Sequence, residues 1–168
     1  IEEVLMKFST YVIDEFKKDK NEPLKAHEIC AKYTTDVVSS CIFNADAQSF
    51  TEEKPEIREM GRQLFNFENP ILMMKFFVLS LIPSLGKILK ITFVSKKVEQ
   101  FFTNLMYQAI EIREKSEIKR DDYLAYLIAL KNKKEISELD MAAHGVTFFI
   151  DGFETSSVAI SHALYEVF

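Results

Sequence analysis

No proline follows Pro83. All four prolines, Pro23, Pro55, Pro70 and Pro83, lie in the first half, so 84–168 runs without a proline breaker. Glycine is nearly as scarce, at 4 in 168 residues, well under the usual ~7%. Its positions (Gly61, Gly86, Gly145, Gly152) allow neither G-x-G-x-x-G nor G-x-x-x-x-G-K-S/T, so no phosphate loop can be written. Phenylalanine is abundant, at 15, and tryptophan is absent. Lys plus Arg is 21 against 26 Asp plus Glu, a net charge of −5, with 48% of residues hydrophobic. That is too apolar and too weakly charged for disorder. The expectation is a helical, Phe-packed protein of roughly one domain's length.

Several chemistries are excluded. Two cysteines, Cys30 and Cys41, cannot make a disulfide scaffold or a Cys-rich zinc site. On one helix they would stand about 16 Å apart, beyond a disulfide's reach, so they are expected as buried thiols. The histidines are His27, His144 and His162. The latter two would share a helix face but lie about 27 Å apart, too far to share a metal. Neither H-E-x-x-H nor G-x-S-x-G occurs. There is no signal peptide and no run of ~20 apolar residues. Ile1, Val4, Leu5, Phe8 and Val12 recur at helical spacing with no cap before them. Leu164, Tyr165, Val167 and Phe168 end the chain without Gly, Pro or a polar tail. Both ends read as mid-helix, and the chain is expected to be an internal piece, 1–168 forming an incomplete domain.

The periodicity predicts an amphipathic helix over 1–18, closed by the charged stretch from Lys17 to Pro23. A second helix, over 24–43, carries Ile29, Cys30, Tyr33, Val37, Cys41 and Ile42 along one stripe. After a polar loop over 44–54, Pro55 suits the first turn of a third helix bearing Ile57, Met60 and Leu64. A long helix over 95–115 and a shorter one over 121–132 follow. Between them and the third helix, 69–98 has no acidic residue but five lysines: Lys75, Lys87, Lys90, Lys96 and Lys97. The same stretch is strongly apolar from Ile71 to Ile82. It predicts either a buried helix with solvated lysines or a segment lying in a membrane interface. Nucleic acid is not expected, since no basic face carries interleaved aromatics.

The segment 136–168 carries the chemistry. Ser137-Glu138-Leu139-Asp140 resembles a capping box opening a helix. Ala142, Ala143, Val146, Phe148, Phe149 and Ile150 leave no consistently polar face, as in a helix buried on all sides. Unbroken, it would run about 48 Å. Asp151-Gly152 between apolar runs is also a hairpin signal. The run before it does not alternate, however, and the run after it is polar, so helix is favoured. Gly152 then costs about 1 kcal/mol relative to Ala, which suggests close approach of another group. Thr155 shares a face with Asp151, Phe148 and Thr147. Thr155 and Glu154 are candidates for passing protons within an apolar cavity. The competing reading is that Thr155 only back-bonds to its helix.

The stretch DGFETSS at 151–157 resembles the distal-helix signature A/G-G-x-D/E-T-T/S of the cytochrome P450 family of haem-thiolate monooxygenases. Phe148-Phe149-Ile150 before it and His162-Ala163-Leu164-Tyr165-Glu166 after it extend the likeness. So do Tyr33-Thr34-Thr35-Asp36-Val37-Val38 and Arg113…Arg120-Asp121-Asp122-Tyr123-Leu124, in matching order and spacing. Within that family the FETSS wording resembles an animal microsomal, insect-like member.

The resemblance implies a mainly α fold, the central helical portion of that family's domain, with about seven helices ending in a long buried distal helix. It implies a monooxygenase that inserts one oxygen atom of O2 into small lipophilic substrates. Haem is the implied cofactor, with electrons from NADPH through a reductase. The catalytic pair would be Thr155 and Glu154, and the cofactor-facing residues Asp151, Gly152 and Thr155, with Gly152 giving room for oxygen over the haem. Thr147, Phe148, Ile150 and Asp151 would line the substrate pocket. Asp151 departs from the pattern, which has Ala or Gly there. The family's F-x-x-G-x-x-x-C-x-G loop, its proximal helix with the E-x-x-R pair, and its N-terminal anchor have no counterpart here, so no metal ligand is assigned and the haem cysteine is expected outside this chain. The implied location is the cytoplasmic face of the endoplasmic reticulum membrane, touched through about 70–98. Without the resemblance, the alternative is a non-catalytic helical module that binds membranes or hydrophobic ligands.

Overall fold

The computed structural model describes residues 2–17, 25–64, 69–88, 94–116 and 120–167. Among them every regular element is an α-helix, in the order α1 (Glu2–Lys17), α2 (Ala26–Phe43), α3 (Glu56–Leu64), α4 (Pro70–Leu81), α5 (Pro83–Ile88), α6 (Lys96–Lys115), α7 (Tyr123–Asn132) and α8 (Glu138–Val167). The turn expected after Lys17, the helix start at Leu24, Lys90 and the end residues Ile1 and Phe168 lie outside the described residues. The chain is thus the all-helical architecture the sequence predicts, with 70–88 divided in two. Pro83 causes the division: it disfavours helical geometry at the residue before it. Ile82 accordingly leaves the helix at φ −132°, ψ 69°.

Polar side chains open the helices where propensity places them. Asn69 Oδ1 accepts from the Ile71 N–H at 3.0 Å, with Pro70 beginning α4. Ser95 Oγ accepts from the Val98 N–H at 3.4 Å to start α6. At α8 the capping box forms: Asp140 N–H donates to Ser137 Oγ at 3.1 Å, and Ser137 N–H donates back to Asp140 Oδ2 at 2.9 Å.

α8 lies along α2, and α6 flanks α8. Their shared core is aromatic. Phe102 packs on Phe149 with ring centroids 4.8 Å apart, Phe43 stands 5.8 Å from Phe102, and Phe149 stacks on Phe153 at 5.5 Å. Ile42, Met106, Leu124 and Met141 fill the remainder, all fully buried, each contributing roughly 1.5–3 kcal/mol of apolar burial. α4 contrasts with this. It buries no side chain, and among the described residues it packs only on α5. Ile71, Met74, Phe77, Leu81 and Ile82 are all more than half exposed. Within this chain the apolar side chains of α4 are thus left open.

Candidate active site

The middle of α8 has two unlike faces. Met141, Ala142, Gly145, Phe149, Phe153 and Ser157 are buried, recurring at helical spacing toward α2 and α6. Thr147, Phe148, Asp151, Thr155 and Val158 are exposed on the other side. Within this chain, then, burial is on the side facing α2 and α6.

α2 grips the buried side over one turn and a half. A Cβ added to Gly152 would stand 3.0 Å from Val38 Cγ2, tighter than ordinary van der Waals contact, so a larger residue there would press on Val38 by a few tenths of an ångström. That is the close approach which a glycine inside a helix predicts, and it disposes of the hairpin: Asp151-Gly152 is helical throughout. Next, Thr34 Oγ1 donates to the Phe153 carbonyl at 2.9 Å in a buried setting. Finally, His27 Nε2 meets Glu154 Oε1 at 3.3 Å and Ser157 Oγ at 3.4 Å, while Ser157 Oγ donates to the Glu154 carbonyl at 2.8 Å. His27, Thr34 and Val38 recur at i, i+7 and i+11 on α2, one helix face.

On the open face, Thr147 Oγ1 donates to the Ala143 carbonyl at 2.9 Å, and Thr155 Oγ1 donates to the Asp151 carbonyl. These are the local back-bonds open to a helical threonine. They leave both hydroxyl oxygens with lone pairs directed outward. Phe148 stacks on Tyr123, centroids 4.6 Å apart, which fixes the ring at the edge of that face. Thr147, Phe148, Asp151 and Thr155 are thus brought together. Ile150 is half-buried against the core. Gly152 presents its side-chain direction to α2, and the Glu154 carboxylate points to His27. Consecutive helical residues differ by about 100°, which separates Glu154 from its neighbour Thr155. Sequence reasoning singled out neither His27 nor the cross-helix role of Thr34. Their partners are more than a hundred positions away, and no spacing rule links them.

Cys30 is buried and Cys41 half-buried, both as free thiols, and burial pushes the Cys30 thiol above its ordinary range. Among the described residues, no group of three or more His, Cys, Asp or Glu side chains is placed to hold a metal ion. None of the described helices is long and apolar enough to cross a membrane.

Residues 1–168 match the family model described as Cytochrome P450. The chain is 31% identical over 163 residues to "Probable cytochrome P450 28d1" of Drosophila melanogaster, covering 96% of this chain and 32% of that protein. It is 30% identical to "Probable cytochrome P450 28a5" of the same species, covering 96% and 33%. To "Cytochrome P450 6k1" of Blattella germanica it is 31% identical, covering 92% and 34%. The chain spans about a third of the length of the curated relatives it matches.

Proposed function

This chain belongs to the cytochrome P450 family, and we propose that in the whole protein it forms the distal, oxygen-facing wall of a haem-thiolate monooxygenase acting on small lipophilic substrates. The observation that carries the proposal is the open face of α8, where Thr147, Phe148, Asp151 and Thr155 stand together on a helix otherwise clamped to α2. An exposed ring, an exposed Val158 and two hydroxyls suit a flat apolar macrocycle lying against that face. The haem, when bound, supplies the redox chemistry on dioxygen, with electrons from an NADPH-dependent reductase. Its cysteine ligand belongs to a loop pattern absent from this sequence.

The roles of this chain's own side chains follow from where they point. Thr155 keeps its proton on the Asp151 carbonyl and offers it toward the open face by turning its hydroxyl, while an oxygen lone pair receives a replacement from water. Glu154, held on the α2 side, is the acid that replenishes that water. Gly152, whose side-chain direction faces Val38 of α2, lets α8 sit close to α2, and the room for oxygen expected of it would come from the backbone at that turn. Thr147 and Phe148 border the substrate, with Ile150 behind them. Asp151 places a carboxylate at the margin of that space. α4, with its exposed apolar side chains and Lys75, lies against the cytoplasmic face of the endoplasmic reticulum membrane near the substrate entrance. Lys96 and Lys97, which begin α6, are exposed, while the Lys87 side chain lies outside the described residues.

The test uses the full-length, haem-loaded protein with its reductase. Thr155→Ala is expected to divert NADPH electrons from product to peroxide, lowering the product share on the order of tenfold, whereas Thr155→Ser retains most of it. An unchanged product share in Thr155→Ala refutes the proton-handling role.

A further inference from the structure

We infer that His27 is a positioning residue for Glu154, holding the acid of the distal helix in place from α2. The inference rests on the proton-handling reading of Glu154 given above. Three atoms carry the geometry: His27 Nε2 lies 3.3 Å from Glu154 Oε1 and 3.4 Å from Ser157 Oγ. The hydroxyl hydrogen of Ser157 is committed to the Glu154 carbonyl at 2.8 Å, so Ser157 presents only lone pairs to the ring. The Glu154 carboxylate likewise presents lone pairs. A ring nitrogen facing two acceptors must carry the hydrogen, so His27 donates from Nε2 and shares that hydrogen between them.

The surroundings show why the contact matters. The Glu154 side chain is only 29% exposed, and a carboxylate in that setting needs a donor to stay fixed. Glu28, the next residue on α2, does not compete for the ring, because it is engaged by Arg58 at 2.7 Å and Arg62 at 2.9 Å on α3. His27 itself is half exposed, so the contact joins solvent to the buried side of α8. Ser157 lies one turn beyond Glu154 and is fully buried, which anchors the far side of the contact to the helix itself. With Thr34 and Val38 holding the adjoining turns, His27 is the member of this α2 face that touches a side chain of the proposed relay rather than its backbone. Without it, Glu154 is free to take other rotamers at the solvent margin, and the water between it and Thr155 loses a fixed partner.

The test is made in the full-length holoenzyme with its reductase. His27→Ala is expected to lower the product share of NADPH electrons several-fold and raise peroxide, at unchanged thermal midpoint. His27→Gln, whose amide nitrogen reaches the position of Nε2, restores the wild-type share. Combined with Glu154→Gln, His27→Ala should have no further effect. Independently of turnover, the infrared carboxylate band of Glu154, found by subtracting the Glu154→Gln spectrum, should move in His27→Ala and return in His27→Gln. If Glu154→Gln lowers the product share and His27→Ala does not, the positioning role is overturned while the reading of Glu154 stands. When neither substitution changes the share, the reading of Glu154 fails and takes this inference with it. A Glu154 band that ignores His27→Ala also overturns it.

Discussion

Asp122 joins two helices with one carboxylate, so its replacement separates two effects that usually travel together. Its Oδ1 caps α7 by accepting from the Ala125 N–H at 3.0 Å, and it also accepts from Arg113 Nη1 at 3.0 Å. Its Oδ2 takes Arg113 Nη2 at 2.7 Å. The two side chains are only 10% and 17% exposed. Asp122→Ala removes the cap, worth about 1 kcal/mol, and strands the guanidinium. Breaking a fully buried pair costs about 3–5 kcal/mol, but these groups reach water, so about 1–3 kcal/mol is appropriate. The expected loss is about 2–4 kcal/mol. Asp122→Asn keeps an Oδ1 acceptor for the cap but loses the charge and puts an NH2 against Arg113 Nη2, where Oδ2 had accepted, so about 1–3 kcal/mol goes. Burial pushes the Asp122 carboxyl up, but hydrogen bonds from Arg113 and Ala125, with the charges of Arg113 and Arg120, outweigh it and hold it below its ordinary value. A depressed folded value means the stabilisation is full above the unfolded value of about 3.9 and lost as pH falls through the folded one. The gap between wild type and Asp122→Asn should therefore close in acid. Thermal unfolding of the full-length protein at several pH values reads all of this. Equal midpoints for Ala and Asn would refute the capping contribution. Simple additivity of Arg113→Ala with Asp122→Ala would refute the pairing.

Asp36 should behave in the opposite sense. It is 2% exposed, and burial raises its carboxyl despite the hydrogen bonds from Ser49. A raised folded value gives stability that is present below the unfolded value and lost as pH rises through the folded one. Asp36→Asn, which keeps the acceptor for the Ser49 N–H, is expected to raise the midpoint at pH 7 and to lose that advantage in acid. A lower midpoint at pH 7 would contradict it. On the surface, replacing Phe77 and Leu81, 54% and 75% exposed, with Ser is expected to weaken binding of an anchor-free form to anionic vesicles about tenfold or more. Sedimentation with vesicles measures this, and equal binding would remove the interfacial role of α4.

Local signals explain most of what the sequence made legible. The Ser137–Asp140 box started α8 where the spacing put it, because two side chains and two N–H groups within four residues suffice to form it. Asn69 and Pro70 opened α4 for the same kind of reason. Pro83 broke the apolar stretch into α4 and α5 because its ring acts on the residue before it, a constraint with no tertiary component. At Asp151-Gly152 local preference was ambivalent, and packing decided: the glycine that allows a hairpin turn also allows α8 to come close to Val38 of α2. The proposed site divides along the same line. Thr147, Phe148, Asp151 and Thr155 could be grouped in advance because helical periodicity alone puts them on one face. Which elements clamp the opposite face could not, since contacts between helices leave no local spacing signal. Glu154 shows the limit most sharply. Its place beside Thr155 in sequence suggested partnership, yet adjacency on a helix means divergence by about 100°. Its actual partner, His27, comes from a separate helix. Any coupling between Glu154 and Thr155 must therefore pass around the helix through water, with α2 rather than α8 setting where the carboxylate waits.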